Sequence, residues 1–242
     1  MSESRPGSSP LYAQTEAILV RRIAEGVWAP GAMIPPEGEL ATELGVSPGT
    51  VRKALGGLER RRLILRRQGR GTFVASHTSE RALFHFFRIV ALDGTRTAPT
   101  SHVLDCRTGP ATVEEAALLA LNPGEAVHRV KRGRLIAGAA CILERIWLPA
   151  ARFPGFTLPV LREMPDELYV LYQRDYGVTI ARAEERLAAI AASAEDALLL
   201  GLRAGTPLLE IARIAHDLNG VPVERRVTLL DTDAHRYVAN LD

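Results

Sequence analysis

The stretch EGELATELGVSPGTVRKALGGLERRRLILRRQGRGTFV, residues 37–74, decides the fold of the first part of the chain. It opens with a short helix over 37–44 that places Leu40, Ala41 and Leu44 on one face and is closed by Gly45. Ser47 is a good N-cap, and Pro48 stands at the first helical position, where its missing N–H costs nothing. Along the helix that starts there, Val51, Leu55 and Leu58 recur at i, i+4 and i+7 and face a core. Gly49, Thr50, Arg52 and Lys53 are left on the outward surface of its first turns, within reach of a major groove. The β-prone runs 63–65 and 72–74 flank Arg66-Arg67-Gln68-Gly69-Arg70-Gly71, whose glycines permit a tight reversal into Thr72. Two helices, a tight turn and a basic hairpin predict a winged helix-turn-helix, and double-stranded DNA is its expected partner. Ser47 joins the candidate contacts of the second helix, and Arg66, Arg67, Gln68, Arg70, Gly71 and Thr72 those of the wing.

Working outward, residues 11–25 read as a supporting helix that ends at Gly26, and MSESRPGSS reads as a flexible tail over residues 1–9. Charge is distributed to match: residues 1–78 carry 11 Lys/Arg against 7 Asp/Glu, whereas the remainder carries 19 against 21. Six arginines (Arg60, Arg61, Arg62, Arg66, Arg67, Arg70) fall within eleven residues, the concentration of positive charge that a phosphate backbone attracts. Alone, such a run is more often a solvated face; beside a helix-turn-helix it reads as a binding surface.

The 242 residues, 47% hydrophobic and 24% charged, suffice for one large or two ordinary domains. Apolar stretches such as 187–192 and 197–202 fall short of a membrane helix, and the N-terminus lacks the apolar segment of a secretory signal, so a cytoplasmic protein with no membrane partner is expected. Cys106 and Cys141 are too far apart and too few for a disulfide framework or a zinc site. The six histidines show no paired spacing, which leaves no metal or cofactor expected; His85 and His102 are the two that could face a pocket.

Residues 76–80 interrupt both hydrophobic patterns and read as a linker between a domain at 10–75 and one at 81–242. The second domain reads as a strand near 100–106, a helix at 113–119, a hairpin at 126–148, a helix at 166–176, a strand at 178–191, a helix at 194–201 and a hairpin at 207–231. That is an α+β fold with an antiparallel sheet. An internal repeat supports it: Leu121, Gly124, Val127 and Arg132 recur 81 residues later as Leu202, Gly205, Leu208 and Arg213. Each copy is a helix, a Gly turn and a strand entering a hairpin, so the two could form one pseudo-symmetric sheet.

A two-residue Asn219-Gly220 turn pairs Leu218 with Val221, and hence Ala215 with Glu224 and Arg213 with Arg226. One face then carries Ala212, Ile214, Val223, Val227 and Leu229, the expected core side. The other carries Arg213, Glu224, Arg226 and Thr228, a solvated surface or a pocket wall. In the first hairpin Arg132 and Arg134 share a face, and two guanidiniums together suit a carboxylate or phosphate as well as they suit solvent. Whether Glu144 joins them depends on the Ala137-Gly138 turn: a two-residue loop places it opposite, a three-residue loop on the same side.

PLYAQ, PPEGELATELGVSPGTVRKAL and RRQGRGTFVA resemble the DNA-binding domain of the GntR family of bacterial transcription regulators over residues 10–75. This chain departs from the family pattern at Gly38 and Pro48, where side chains that commonly contact DNA are missing, and at Pro36, which replaces the usual Ser cap. Base reading is therefore expected to rest on Thr50, Arg52 and the wing, on an operator that differs from the common half-site. RGRLIAGAACILERIWLP, ELYVLYQRDYGVTIARAEERLAAI and PLLEIARIAHDLNGVPVERRV are similar to the effector-binding (UTRA) domain of the HutC subfamily, with a chorismate-lyase-like fold. The resemblance implies a ligand pocket using Arg132, Arg134, Glu144 and Glu224, with Tyr169 and Arg213 as further candidates. Phe86-Phe87-Arg88 and residues 166–169 lack the small hydroxyl residues that phosphosugar binders use, which favours other acids or amphiphilic metabolites.

The expected function is a ligand-responsive repressor, a homodimer on a near-palindromic operator, released by a small-molecule effector. The alternative is a DNA-binding protein fused to a chorismate-lyase-like enzyme domain, against which stands the lack of a nucleophile motif, metal spacing or phosphate loop. A constitutive architectural DNA binder is a third reading.

Overall fold

Helix caps and apolar spacing fix the first of two compact units, residues 1–76 and 77–242. The computed structural model describes residues 9–77, 86–156 and 167–239. The expected tail up to residue 8, most of the linker and His85 lie outside these residues. Helix α1 (Leu11–Ala24) packs on α3 (Pro48–Arg60), with α2 (Glu37–Leu44) between them in sequence. Leu19, Leu40, Val51, Leu55 and Leu58 are fully buried, as their 3.6-residue spacing requires. The Ser47 Oγ accepts the Thr50 N–H at 3.1 Å and caps α3, and Pro48 follows at its first position. Pro36 gives α2 no side-chain cap, and Glu37 and Glu39 face its positive end instead. Strand β1 (Met33–Ile34) joins β2 (Ile64–Arg67) and β3 (Gly71–Val74) in a small sheet ordered β1-β3-β2, with the wing loop at 68–70.

The second unit is built on a six-stranded antiparallel sheet. Its strands are β5 (Thr100–Pro110), β6 (Ala126–Ile136), β7 (Ala139–Pro149), β8 (Ile180–Ala191), β9 (Pro207–Asp217) and β10 (Pro222–Leu230), in the order β5-β6-β7-β10-β9-β8. The order runs outward from β7 and β10 in the same way on both sides, as the repeat implies. Helix α4 (Val113–Leu119) and β6 recur as α6 (Ala194–Leu200) and β9 with every boundary displaced by the same 81 residues. Helix α5 (Leu168–Tyr176) covers one face of the sheet through Leu168, Tyr169 and Tyr172, which pack with Phe153, Phe156, Ile146, Ala215 and Val223. On the other face Ala197 and Leu200 of α6 pack on Leu143, Leu208 and Leu229. A two-stranded ladder of β4 (Ile89–Ala91) with β11 (His235–Tyr237), too short to show a period in sequence, completes the unit.

Both hairpins depart from the sequence reading through β-bulges. The Ala137-Gly138 loop does have two residues, since Ile136 pairs with Ala139, yet Arg132 pairs directly with Glu144. Cys141 is the extra residue that shifts the register and brings Glu144 onto the arginine face. In the second hairpin Asp217 accepts the Asn219 and Val221 N–H groups, making the loop three residues long. A bulge at Val223 then restores the expected pairs Ala215–Glu224 and Arg213–Arg226. The register was read correctly from the wrong loop. That bulge also moves Val223 off the face of Ala212, Ile214 and Val227, which is only half-buried, and into the core beside Ala215. The expected core side is corrected in part: Leu229 does pack in a core beneath α6, with Val227 beside it, but the face bearing Glu224, Arg226 and Thr228 is buried as well.

Ala137 and Gly138 have φ of 50° and 82°, as a type I′ turn requires, and a left-handed alanine costs about 1–2 kcal/mol. Ala137→Asn should relieve part of that strain and raise the unfolding temperature of the second unit in a thermal melt. A lower midpoint would contradict the turn assignment.

Candidate functional site

In the first unit the sequence-predicted contacts fall into two groups. Gly49, Arg52 and Lys53 are exposed on α3, and Arg66, Arg67, Gln68, Arg70 and Gly71 are exposed on the wing, while Thr50 and Thr72 are half-buried. The Ser47 hydroxyl is engaged as the cap and lies 2.9 Å from the Thr50 hydroxyl. Lys53 sits 3.8 Å over the Tyr12 ring and Arg67 over Phe73, so both cations rest on aromatic faces. Sequence reasoning missed Glu37. Its carboxylate accepts from Arg52 Nε at 2.8 Å and pairs with Arg66 at 3.4 Å, joining α3 to the wing. No periodicity signals this contact, which depends on the tertiary approach of α2 to β2. A Cβ at Gly38, one residue on, meets nothing within 4 Å, so that position is open beside the same surface.

In the second unit, antiparallel register sets the site as two adjacent rows across the sheet. One row runs Val103, Arg132, Glu144, Thr228, Ile211, Leu187; the next places Ile146, Arg226, Arg213 and Glu185 side by side. Arg132 donates to Glu144 at 2.5 Å, Arg226 at 3.2 Å and Thr228 at 3.4 Å, and Arg134 pairs with it at 3.8 Å. Burial alone would raise the Glu144 carboxyl, but Arg132, Arg226 and Arg134 outweigh it and hold the group well below the usual carboxylate range. Arg226 also forms a fork to Glu224 at 3.0 and 2.7 Å. Glu224 accepts in turn from the Tyr169 and Tyr172 hydroxyls at 3.0 and 2.7 Å. Burial and the Glu224 charge push Tyr169 up to about 12, so its hydroxyl stays protonated and donates. Arg213 donates to Glu185 at 2.7 Å and to the Phe86 carbonyl at 2.7 Å, and Tyr237 hydrogen-bonds the other Glu185 oxygen.

These groups form the floor of a pocket of about 680 Å³, counting its open mouth. Of the expected effector residues, Arg132, Arg134, Glu144, Tyr169 and Arg213 line it. Glu224 does not: it is fully buried beneath the floor, where it positions Arg226 and both tyrosines. Arg226 and Thr228 line the pocket in its place, two residues of the polar face for which the two-residue period leaves a solvated surface and a pocket wall both open. Tyr172, three residues along α5 from Tyr169, packs in the core. His102 pairs with Gly133 across β5 and β6 and covers it on the face opposite Arg132 and Arg134, which removes it from the pocket.

Two outcomes follow. Glu37→Gln should release Arg52, leave Arg66 with Glu59 alone at 3.5 Å, and remove a negative charge from the surface that α3 shares with the wing. Nonspecific duplex affinity should then rise and the salt dependence steepen, both readable by fluorescence anisotropy across a salt series; weaker binding would mean that Glu37 orients the arginines for DNA. Glu144 has a depressed folded pKa, so its contribution is complete above the unfolded value of about 4.3 and is lost as pH falls through the folded one. Glu144→Gln should cost about 3–5 kcal/mol at pH 7 and flatten the acid limb of stability against pH. An unchanged acid limb would remove Glu144 from that role.

Comparison with known proteins places this geometry. The UTRA domain matches residues 95–236, and the bacterial regulatory proteins of the gntR family match residues 11–74. The chain is 30% identical over 235 residues to the HTH-type transcriptional regulator SmoD of Agrobacterium fabrum, covering 97% of each. It is 29% identical to the HTH-type transcriptional repressor NagR of Bacillus subtilis, over 100% of this chain and 99% of that one. Among solved structures, it resembles the ligand-binding domain assigned to a GntR-family transcriptional regulator of Bordetella bronchiseptica, with a TM-score of 0.61 and 35% identity over 64% of this chain and 96% of that one. It also resembles PhnF of Mycobacterium smegmatis, with a TM-score of 0.54 and 26% identity over 93% and 98%.

Proposed function

The chain belongs to the GntR family of bacterial regulatory proteins, in the group with a UTRA domain behind the helix-turn-helix, and from that premise we propose a homodimeric repressor whose operator affinity falls when a small anionic metabolite fills the pocket. It is a ligand-responsive transcription regulator: one domain binds DNA and the other binds an effector. The observation that carries the effector reading is the set of buried arginines at the pocket floor, since guanidiniums held in place by carboxylates offer directed donors to an incoming acid. Two-fold symmetry is expected because one winged helix reads only a few base pairs and operator symmetry is matched by protein symmetry. No helix among the described residues is long and apolar enough to cross a membrane, and a cytoplasmic location goes with the DNA-binding role.

The relatives are transcription regulators, and binding without turnover is proposed for this chain. The carboxylate at its floor, Glu144, is engaged in holding arginines, which leaves it poorly placed as a proton acceptor for an elimination. Candidate acids should therefore bind stoichiometrically and be recovered unchanged; catalytic loss of any of them would support the enzyme alternative. Operator binding is tested by gel shift on DNA upstream of the gene, with and without metabolites. Arg52→Ala should weaken specific binding by about 1–3 kcal/mol if it reads a base. Arg134→Ala should leave DNA affinity intact and abolish release, and a variant that still responds normally removes Arg134 from the site.

A further inference from the structure

We propose that the pocket takes a singly charged amphiphile, a carboxylate on an aromatic or branched apolar body, rather than a phosphorylated sugar; this rests on reading the pocket as the effector site. Charge balance is the first ground. Among the described residues, five guanidiniums line the pocket: Arg88, Arg132, Arg134, Arg213 and Arg226. Four carboxylates belong to the same system, Glu144 and Glu167 in the lining, Glu185 paired with Arg213, and Glu224 paired with Arg226. One negative charge neutralises the remainder. A phosphate dianion would leave an uncompensated negative charge against a floor of buried side chains, where an unpaired charge is costly.

The second ground is the supply of neutral hydrogen-bonding groups. A sugar buries several hydroxyls, each of which needs a partner. The described lining contains no Asn, Gln, Asp, Ser or His, and its only hydroxyls belong to Thr228, Tyr169 and Tyr237. All three are engaged, with Glu144, Glu224 and Glu185 respectively. The rest of the wall is apolar: Phe86, Phe87, Ile89, Pro99, Leu168 and Ile211. Phe86 sits edge-on to Tyr169 at 4.8 Å, and Phe87 lies under the Arg134 guanidinium at 5.1 Å. An acid with its charged end on the arginines and its body among these rings buries apolar surface on both sides.

Isothermal titration of the full chain with four probes tests the assignment: 3-phenylpropanoate, its neutral amide, 2-phenylethyl phosphate and glucose 6-phosphate. The carboxylate should bind at least about tenfold tighter than the amide and the phosphate, with no heat from glucose 6-phosphate, and Arg134→Gln should abolish its binding. Tighter binding of either phosphate, lost in Arg134→Gln, overturns the ligand class and keeps the pocket as the effector site. Carboxylate binding that survives Arg134→Gln places the probe elsewhere and overturns the proposal. Binding by none of the four also overturns it. The effector-site reading falls as well only if Arg134→Gln leaves release from operator DNA by a small-molecule cell extract unchanged.

Discussion

The buried contact between Arg132 and Glu144 is the constraint on which the effector unit depends. Isolated, either charge would be prohibitively costly beneath a helix and within a sheet. Paired, and joined by Arg226, Arg134 and Thr228, Glu144 has enough donors to stay ionised. Such a lattice adds little net stability compared with an apolar core of the same volume, because desolvation offsets most of the Coulombic gain. Its consequence is positional. Each guanidinium is held on at least one side by a carboxylate that is itself held, so the floor is preorganised and an incoming acid need not order it.

Everything that brings these charges together is a matter of register. The bulge at Cys141 moves Glu144 across the sheet onto the face of Arg132, and the bulge at Val223 aligns Glu224 and Arg226 with the same face. A one-residue slip in either hairpin would exchange the charged row for its apolar neighbours, putting Leu143 under the pocket and Glu144 among Ala197 and Leu200. The internal repeat explains why the rows meet where they do. Strands β7 and β10, the inner members of the two copies, lie side by side at the pseudo-two-fold, so the carboxylate of one copy stands next to the arginine of the other.

Much of this was legible in the sequence. The caps at Ser47 and Pro48 and the spacing of Val51, Leu55 and Leu58 fix the recognition helix because these are local effects of short range. The repeat and the shared face of Arg132 and Arg134 survive for the same reason, since a two-residue period needs no tertiary information. What was not legible depended on bulges and on which face is covered. Cys141 and Val223 carry no signal that marks an extra residue. The period that grouped Arg213, Glu224, Arg226 and Thr228 could not say that this polar face, not the aliphatic one, lies beneath α5. Glu224 is a ligand contact only by resemblance to the UTRA pattern; the tyrosines that saturate it here come from a helix more than fifty residues away.

The rigidity of the floor also says where a ligand can act. A ligand shifts a conformational equilibrium only by the difference in its affinity for the two states, so atoms fixed alike in both contribute nothing. Rows locked by strand pairing are of that kind. The pocket wall is held in another way: Phe86, Phe87 and Arg88 precede β4 outside the long strands, and Phe86 is joined to the floor through the Arg213 donation to its carbonyl. They also stand in the sequence soon after the last residues of the DNA-binding unit. An acid of the proposed class, with its charged end on the arginines, would bring its apolar body against Phe86 and Phe87. The arginine floor offers directed donors to the charged end, and the aromatic wall offers apolar surface to the rest.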